Sequence, residues 1–244
     1  MTRRRVALVT GGAKGIGKAI AEKLASAGFS VAVNYNTSKV AAFELVAELQ
    51  SRGINALAVK ADVSDYNAVK HMYDECRAYF GFVDTLVNNA GISLIKPLYE
   101  CTGTDFDRVI AVDLKSVFNT CRIFTPDMTS EGFGRIVNVA SVWGEYGGSA
   151  ETLYSAAKAG VIGFTKALNA ELAPGGVIVN AVSPGFINTA MNAGLAQTDV
   201  DAFLESVSVG RIGSPEEVAE AVEFLTREKL YVAGANLSVN GGIL

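Results

Sequence analysis

The stretch TGGAKGIG, residues 10–17, decides the first part of the fold. It follows the apolar run RVALVT (5–10) and opens a segment whose apolar residues have helical spacing. Glycines at 11, 15 and 17 give the spacing G-x-x-x-G-x-G, a variant of the dinucleotide fingerprint. Such glycines allow a tight turn, close approach of the backbone to a pyrophosphate, and packing of the helix on the sheet. The helix N-terminus then faces the phosphates. The stretch predicts a dinucleotide site formed by Gly11, Gly12, Ala13, Lys14, Gly15, Ile16 and Gly17.

Strand-like and helix-like segments alternate along the rest of the chain. The strand-like runs are almost continuously apolar, which is typical of strands covered by helices on both faces. They lie at 5–10, 30–35, 55–62, 83–91, 134–141, 177–185 and 235–242. Repeated strand–helix alternation indicates parallel strands with right-handed crossovers. We therefore predict an α/β fold: one doubly wound Rossmann-type domain over residues 1–244, with a parallel sheet of about seven strands and helices on both faces.

Composition excludes several classes of protein. Half of the 244 residues are hydrophobic and 19% are charged, as in folded globular chains. No apolar run reaches the roughly 18 residues of a membrane span, and the first apolar run is too short for a signal peptide. With three scattered cysteines, we expect a cytoplasmic protein that does not bind membranes. A single histidine excludes a zinc site built on several histidines, and a net charge of −4 argues against nucleic-acid binding.

The end of the second strand bears on the choice of cofactor. An NAD-binding protein normally carries a carboxylate there, bonded to the ribose 2′-hydroxyl. Here the segment reads NYNTSK (34–39), which has no carboxylate, and Asn36 lies in the expected ribose pocket. Because Lys14 and Lys39 lie nearby and a carboxylate would repel a 2′-phosphate, the segment favours NADP(H) over NAD.

The pattern Tyr-x-x-x-Lys occurs three times, at 35–39, 66–70 and 154–158. Only YSAAK (154–158) has a serine thirteen residues upstream, Ser141, and the motif SPGFINT (183–189) downstream. Together with TGGAKGIG and NNAG (88–91), these motifs stand in the order of the short-chain dehydrogenase/reductase family. The chain resembles that family over nearly its whole length. The resemblance implies an oxidoreductase, and its single-domain members are usually homotetramers.

The resemblance implies roles for individual residues. Tyr154 would be the general acid in carbonyl reduction, and Lys158 would lower the pKa of Tyr154 and bind the nicotinamide ribose. Ser141 would orient the substrate carbonyl. The segment VDLKSVF (112–118) has Asp113 where the family usually has an asparagine that supports a proton-relay water. We expect the relay to persist with an altered pH dependence. Further cofactor contacts implied by the resemblance are Asp62, Val63, Asn88, Ala90, Ile187 and Thr189, besides Tyr154 and Lys158.

Within the family, three stretches are most similar to 3-oxoacyl-acyl-carrier-protein reductases and to acetoacetyl-CoA reductases: 134–148, 154–173 and 180–191. This likeness implies reduction of a 3-oxoacyl thioester by NADPH, with acyl carrier protein as a partner. Basic residues expected to meet an acidic carrier are absent from SEGFG (130–134) and APGG (173–176). A CoA thioester, a small ketone, a sugar alcohol or a non-catalytic NADP sensor therefore stays open. We expect residues 188–214 to form a lid over the substrate.

Overall fold

Seven parallel strands form one sheet in the order β3-β2-β1-β4-β5-β6-β7. The computed structural model describes residues 5–190 and 197–243. The strands are β1 Val6–Val9, β2 Ser30–Tyr35, β3 Ala56–Lys60, β4 Thr85–Asn88, β5 Gly134–Val139, β6 Val177–Pro184 and β7 Asn236–Val239. Each predicted strand is present, and the expectation of a parallel sheet in a single domain is confirmed.

Helices cover both faces of the sheet. They are α1 Gly15–Ser26, α2 Lys39–Ser51, α3 Tyr66–Phe80, α4 Gly103–Ile110, α5 Ser116–Ser130, α6 Val142–Tyr146, α7 Thr152–Leu172, α8 Gln197–Glu205 and α9 Pro215–Leu225. Because successive side chains of a strand point to opposite faces, β1 contributes to two cores. Ala7 and Val9 pack in the core that includes buried residues of α1, α2 and α9. Val6 and Leu8 pack in the core that includes buried residues of α3, α5 and α7.

Two helix starts illustrate how local sequence sets the element boundaries. Helix α3 begins after Asp65, whose carboxylate accepts hydrogen bonds from the N–H groups of Asn67 and Ala68. Helix α9 begins after Ser214, which forms a reciprocal capping box with Glu217, and Pro215 occupies the first helical position.

The strand order changes direction between β1 and β4. The chain winds outward from β1 to β2 and β3, returns to pair β4 with β1, and continues to β7. The connection after β1 runs towards β2, and the connection after β4 runs in the opposite direction, towards β5. This divergence opens a crevice at the carboxyl ends of the strands. The loops after β1, β4 and β5 carry the glycine motif, Ala90 and Ser141 to this edge.

The helical segment from Gly103 to Ser130 contains an irregularity. A π turn over Ala111–Lys115 joins α4 to α5, so the helical path continues but its hydrogen bonding widens for one turn. Such turns are rare and frequently lie at functional sites. Asp113 lies in the middle of this turn and is fully buried.

Two short elements were not expected from the sequence. Helix α6 follows Ser141, and helix α8 lies within the segment predicted as a lid. Residues 191–196 of the predicted lid lie outside the described residues. In the described part of the chain, the helices are all too short or too polar to cross a membrane.

Candidate active site

A cleft of about 1040 Å³ lies at the carboxyl ends of the central strands. It runs from the loop after β1, past the ends of β4 and β5, to the segment after β6. Most of the residues predicted from the sequence line it: Gly11, Ala13, Lys14, Gly15, Ile16, Gly17, Asn36, Asp62, Val63, Ala90, Ser141, Tyr154, Lys158, Ile187 and Thr189. The fold therefore gathers residues from the whole length of the chain around one cavity.

The glycine loop has a conformation that larger residues would disturb. Gly11 and Gly15 have φ angles of 59° and 52°, in the left-handed region that favours glycine. A Cβ atom on Gly17 would lie 2.3 Å from the carbonyl oxygen of Gly11. The loop is therefore closely packed, and its glycines present backbone rather than side chains to the cleft.

Two asparagines, neither predicted as a site residue, hold this loop. Asn34, buried in β2, accepts a hydrogen bond from the Gly11 N–H through its Oδ1, 3.1 Å away. Asn89 donates through Nδ2 to the carbonyl oxygen of Thr10 at 2.9 Å. A polar residue inside an otherwise apolar strand, such as Asn34 in β2, is a sequence signal that could have indicated this role.

The outer end of the cleft is polar. Asp62 accepts hydrogen bonds from the N–H and the hydroxyl of Ser64, and Asn36 also bonds to this carboxylate. The hydrogen bond from the Ser64 hydroxyl is the main cause that lowers the pKa of Asp62. Lys14 lines the same end, and the ammonium of Lys39 lies 5.7 Å from the ring centre of Phe43.

The inner end of the cleft brings Ser141 and Tyr154 together. Ser141 caps α6 by accepting a hydrogen bond from the N–H of Trp143 at 3.2 Å, which fixes the serine at the end of β5. The side chains of Ser141 and Tyr154 are hydrogen-bonded. Ser141 is buried and Tyr154 is partly buried, and both side chains line the cleft.

Lys158 lies one turn after Tyr154 on the same face of α7. Its ammonium is 5.5 Å from the centre of the Tyr154 ring and donates a hydrogen bond to the carbonyl oxygen of Val139 at 3.0 Å. Only 3% of Lys158 is exposed. Burial lowers the pKa of Lys158, and the negative charge of Asp113 acts in the opposite direction.

Asp113 lies behind the cleft lining rather than on it. Its Oδ1 accepts a hydrogen bond from the Ile92 N–H at 2.8 Å. Within residues 5–190 and 197–243, its Oδ2 has no hydrogen-bond partner although it is buried. Burial raises the pKa of Asp113 to about 6, while the Lys158 ammonium and the Ile92 N–H lower it. Gly91 leaves room here, because a Cβ at that position would lie 2.7 Å from Oδ1.

The pKa of Tyr154 differs from the sequence-based expectation. Within the chain, burial raises the pKa of Tyr154, and the charge of Asp113 raises it further. The hydrogen bond with Ser141 lowers it, and the charge of Glu151 raises it slightly. The lowering expected from Lys158 is outweighed because the phenolate would be buried beside a carboxylate. Tyr154 is therefore held in its protonated form at neutral pH.

Two predicted cofactor contacts do not reach the cleft. Asn88 is buried beneath it, where it donates to Asn138 at 2.8 Å and accepts from the Thr120 hydroxyl at 2.7 Å. Asn138 in turn donates to Thr165 of α7 at 2.9 Å. Gly12 instead donates its N–H to the carbonyl oxygen of Asn34. The polar groups of both residues are thus hydrogen-bonded to neighbouring elements, and the two residues form part of the structure beneath the cleft lining.

The cleft continues beyond Tyr154 into a region lined by aromatic side chains, none of which was predicted individually as a site residue, although Phe203 belongs to the predicted lid. Trp143 and Phe203 form an edge-to-face pair with ring centres 5.6 Å apart, and Phe186 lies 5.2 Å from Phe203. Glu151 and Ser93 lie at the same end and are hydrogen-bonded at 3.3 Å. The apolar rings join α6, α8 and the segment after β6.

Comparisons with known proteins identify the family. The sequence model of the family described as short chain dehydrogenase matches residues 5–200, and the chain belongs to this family. It is 41% identical to the 3-oxoacyl-acyl-carrier-protein reductase FabG of Staphylococcus aureus strain Mu50 over 244 residues, which is all of this chain and 99% of that one. It is 39% identical to the acetoacetyl-CoA reductase of Cupriavidus necator strain H16 over 98% of both chains.

A solved structure agrees with this assignment. The crystal structure of a 3-oxoacyl-acyl-carrier-protein reductase from Brucella melitensis superposes with a TM-score of 0.92 at 36% identity, covering 99% of this chain and 92% of that one. The protein is therefore an oxidoreductase of the short-chain dehydrogenase family, and membership implies a nicotinamide cofactor.

The residues present fit such a cofactor. The glycine loop offers backbone without side chains, and α1 begins at Gly15 with its N–H groups directed to the same end. Lys14 is the N-cap residue of α1, and its side chain makes no hydrogen bond to the N–H groups of the first turn. These N–H groups therefore stay available to a phosphate. The glycine loop would hold the pyrophosphate, and Tyr154 with Lys158 would lie beside the nicotinamide ribose.

We predict that Gly17→Ala weakens binding of the dinucleotide at least about tenfold, because its Cβ would collide with the Gly11 carbonyl and shift the loop. Gly163→Ala is the matched control, since a Cβ at this helical position meets nothing within 4 Å. Fluorescence titration of the reduced cofactor measures both dissociation constants. Equal affinity of Gly17→Ala and the unmodified protein would contradict the assigned phosphate site.

Proposed function

We propose that this protein reduces the carbonyl group of a 3-oxoacyl thioester to the 3-hydroxyacyl thioester with NADPH. The observation that carries the proposal is the Ser141–Tyr154–Lys158 group in the same cleft as the glycine loop. The 41% and 36% identical relatives, each matched over at least 92% of both chains, are both named 3-oxoacyl-acyl-carrier-protein reductases and support the substrate class.

In this proposal the side chains position the substrate and supply the proton. When bound, the reduced cofactor supplies a hydride to the carbonyl carbon. The Tyr154 hydroxyl donates its proton to the carbonyl oxygen, so that the ketone becomes an alcohol. Ser141 donates a hydrogen bond to the same oxygen and orients it. Lys158 compensates the negative charge on Tyr154 after the transfer, because its ammonium lies beside the ring.

The proposed preference for NADPH rests on the polar end of the cleft. Asn36, Thr37 and Ser38 line it after β2, and none of them is a carboxylate. Lys14 lines the cleft, and Lys39 begins α2 directly after Ser38, which also lines it. A 2′-phosphate would therefore meet neutral donors and cations where an NAD-binding site presents an acid.

Acyl carrier protein is the proposed bearer of the thioester, and residues 188–214 are the proposed lid. Phe203 of α8 and Ala190 line the cleft, as a lid over the substrate requires. Acetoacetyl-CoA is the alternative thioester, in line with the 39% identical acetoacetyl-CoA reductase.

We also propose a cytoplasmic homotetramer. The half-exposed rings of Phe106 and Phe118 on α4 and α5 are apolar surface that a subunit contact would cover.

Asp113 is proposed to take part in proton supply to Tyr154. Its unpartnered Oδ2 can accept a hydrogen bond from a water molecule near Lys158. Its ionised form raises the pKa of Tyr154, which favours the protonated tyrosine that reduction requires.

The proposed function predicts loss of NADPH absorbance when the protein meets acetoacetyl thioesters. Acetoacetyl-carrier protein and acetoacetyl-CoA should be turned over, with kcat/KM higher for NADPH than for NADH. A panel of simple ketones and sugar alcohols serves as the comparison. Turnover confined to the panel would overturn the thioester assignment, and a preference for NADH would overturn the cofactor assignment.

Tyr154→Phe should abolish this turnover while cofactor affinity stays within about twofold, because only the proton donor is removed. Tyr66→Phe is the control, since Tyr66 is exposed on α3 and belongs to another Tyr-x-x-x-Lys pattern. It should leave both quantities unchanged. Residual turnover by Tyr154→Phe at the level of Tyr66→Phe would exclude Tyr154 as the acid.

For Asp113→Asn we predict that activity is retained and that the alkaline limb of the kcat/KM profile for reduction moves to lower pH. Asp113 raises the pKa of Tyr154, so its neutral replacement lowers that pKa, and the tyrosine loses its proton at a lower pH. Rates between about pH 8 and pH 12 cover this limb, because the pKa of Tyr154 lies above the ordinary value near 10. Asp107→Asn, an exposed change on α4, should leave the profile in place. A profile for Asp113→Asn that coincides with that of Asp107→Asn would count against the role.

A further inference from the structure

The substrate end of the cleft carries an acid that the proposed reaction does not use. Glu151 precedes α7 and lines the cleft together with Ser93, Trp143 and Tyr154. Its Oε2 accepts a hydrogen bond from the Ser93 hydroxyl at 3.3 Å, and Trp143 donates a second one to the carboxylate. The group is partly buried, and this burial raises the pKa of Glu151.

Glu151 lies close to the proposed reacting group. It is the N-cap residue of α7, three residues before Tyr154, and both side chains line the cleft. Its charge contributes to raising the pKa of Tyr154, so the two groups interact electrostatically. A substrate whose carbonyl oxygen reaches Tyr154 therefore lies in a part of the cleft that Glu151 also lines.

The other charges around this part of the cleft do not neutralise Glu151. Lys158 faces the buried Asp113, and the two interact with each other. Arg108 also lines the cleft, but it is exposed, and water screens its charge. The remaining charged residues that line the cavity, Lys14 and Asp62, lie at the outer end with the glycine loop and Asn36. A ligand near Trp143 thus meets the partly buried Glu151 carboxylate, to which Trp143 itself is hydrogen-bonded.

We propose that Glu151 is a specificity-determining residue that selects uncharged acyl derivatives, such as thioesters and esters, over free oxo acids. This inference rests on the proposed carbonyl reduction and names the chemical form of substrate that the site accepts. A free 3-oxo acid would bring its carboxylate beside a half-buried carboxylate, and like charges repel strongly where water is partly excluded. A thioester or ester of the same carbon skeleton carries no such charge.

The isosteric change Glu151→Gln tests this inference. A glutamine keeps the side-chain length and an oxygen that accepts from Trp143 or Ser93, so packing is retained while the charge is removed. We expect kcat/KM for free acetoacetate to rise at least about tenfold, whereas kcat/KM for ethyl acetoacetate stays within about twofold. An unchanged ratio between the two substrates, or an equal change in both, would overturn the inference.

Glu171→Gln is the matched control, because it removes one negative charge from the exposed far end of the same helix. It should leave the ratio unchanged. Calorimetric binding of acetoacetate and ethyl acetoacetate to the complex with NADP⁺ gives the same ratio without turnover. Absence of turnover of both compounds and of acetoacetyl thioesters by the unmodified enzyme would reject the proposed function. The role of Glu151 would still be decided by binding: the affinity for acetoacetate relative to ethyl acetoacetate should be higher in Glu151→Gln than in the unmodified enzyme.

Discussion

The burial of the Lys158 ammonium is the constraint on which the arrangement of the site depends. A charge that is 3% exposed needs partners within the protein, since an unpartnered buried ion is costly. The carbonyl oxygen of Val139 at the end of β5 provides one partner, and the π turn brings the Asp113 carboxylate to the same region. Gly91 after β4 leaves space between them. With Lys158 fixed, Tyr154 follows one turn away on α7, beside Ser141.

Much of this architecture could be predicted from the sequence, because its signals are local. Strands buried on both faces are continuously apolar, and the glycine spacing of 11, 15 and 17 reflects backbone geometry within one loop. Tyr154, Lys158 and Ser141 could be chosen because their spacing and order along the chain match a family. These features need no knowledge of which distant residues meet, and the predicted sheet is confirmed.

The features that were missed depend on contacts between distant segments. Asn34 supports the glycine loop only because β2 lies beside β1, and Asn88 turns inward because Asn138 and Thr120 are available to it. The π turn at Ala111–Lys115 widens the helix for a single turn, and this change is too short to alter the spacing of apolar residues in the sequence. The pairing of Trp143 with Phe203 and the net effect of burial on Tyr154 likewise require the assembled cleft. Two acids, Asp113 and Glu151, thus acquire their character from tertiary structure.

The central claim is that the cleft directs a hydride to the 3-oxo carbon of a thioester while Tyr154 protonates the oxygen. Its most direct test is the reduction of an acetoacetyl thioester with NADPH that carries deuterium on the transferred position of nicotinamide C4. Mass spectrometry and NMR of the product locate the label. The account predicts a 3-hydroxybutyryl thioester with one deuterium on carbon 3. Unchanged thioester, or a reduced product without deuterium on that carbon, would contradict it.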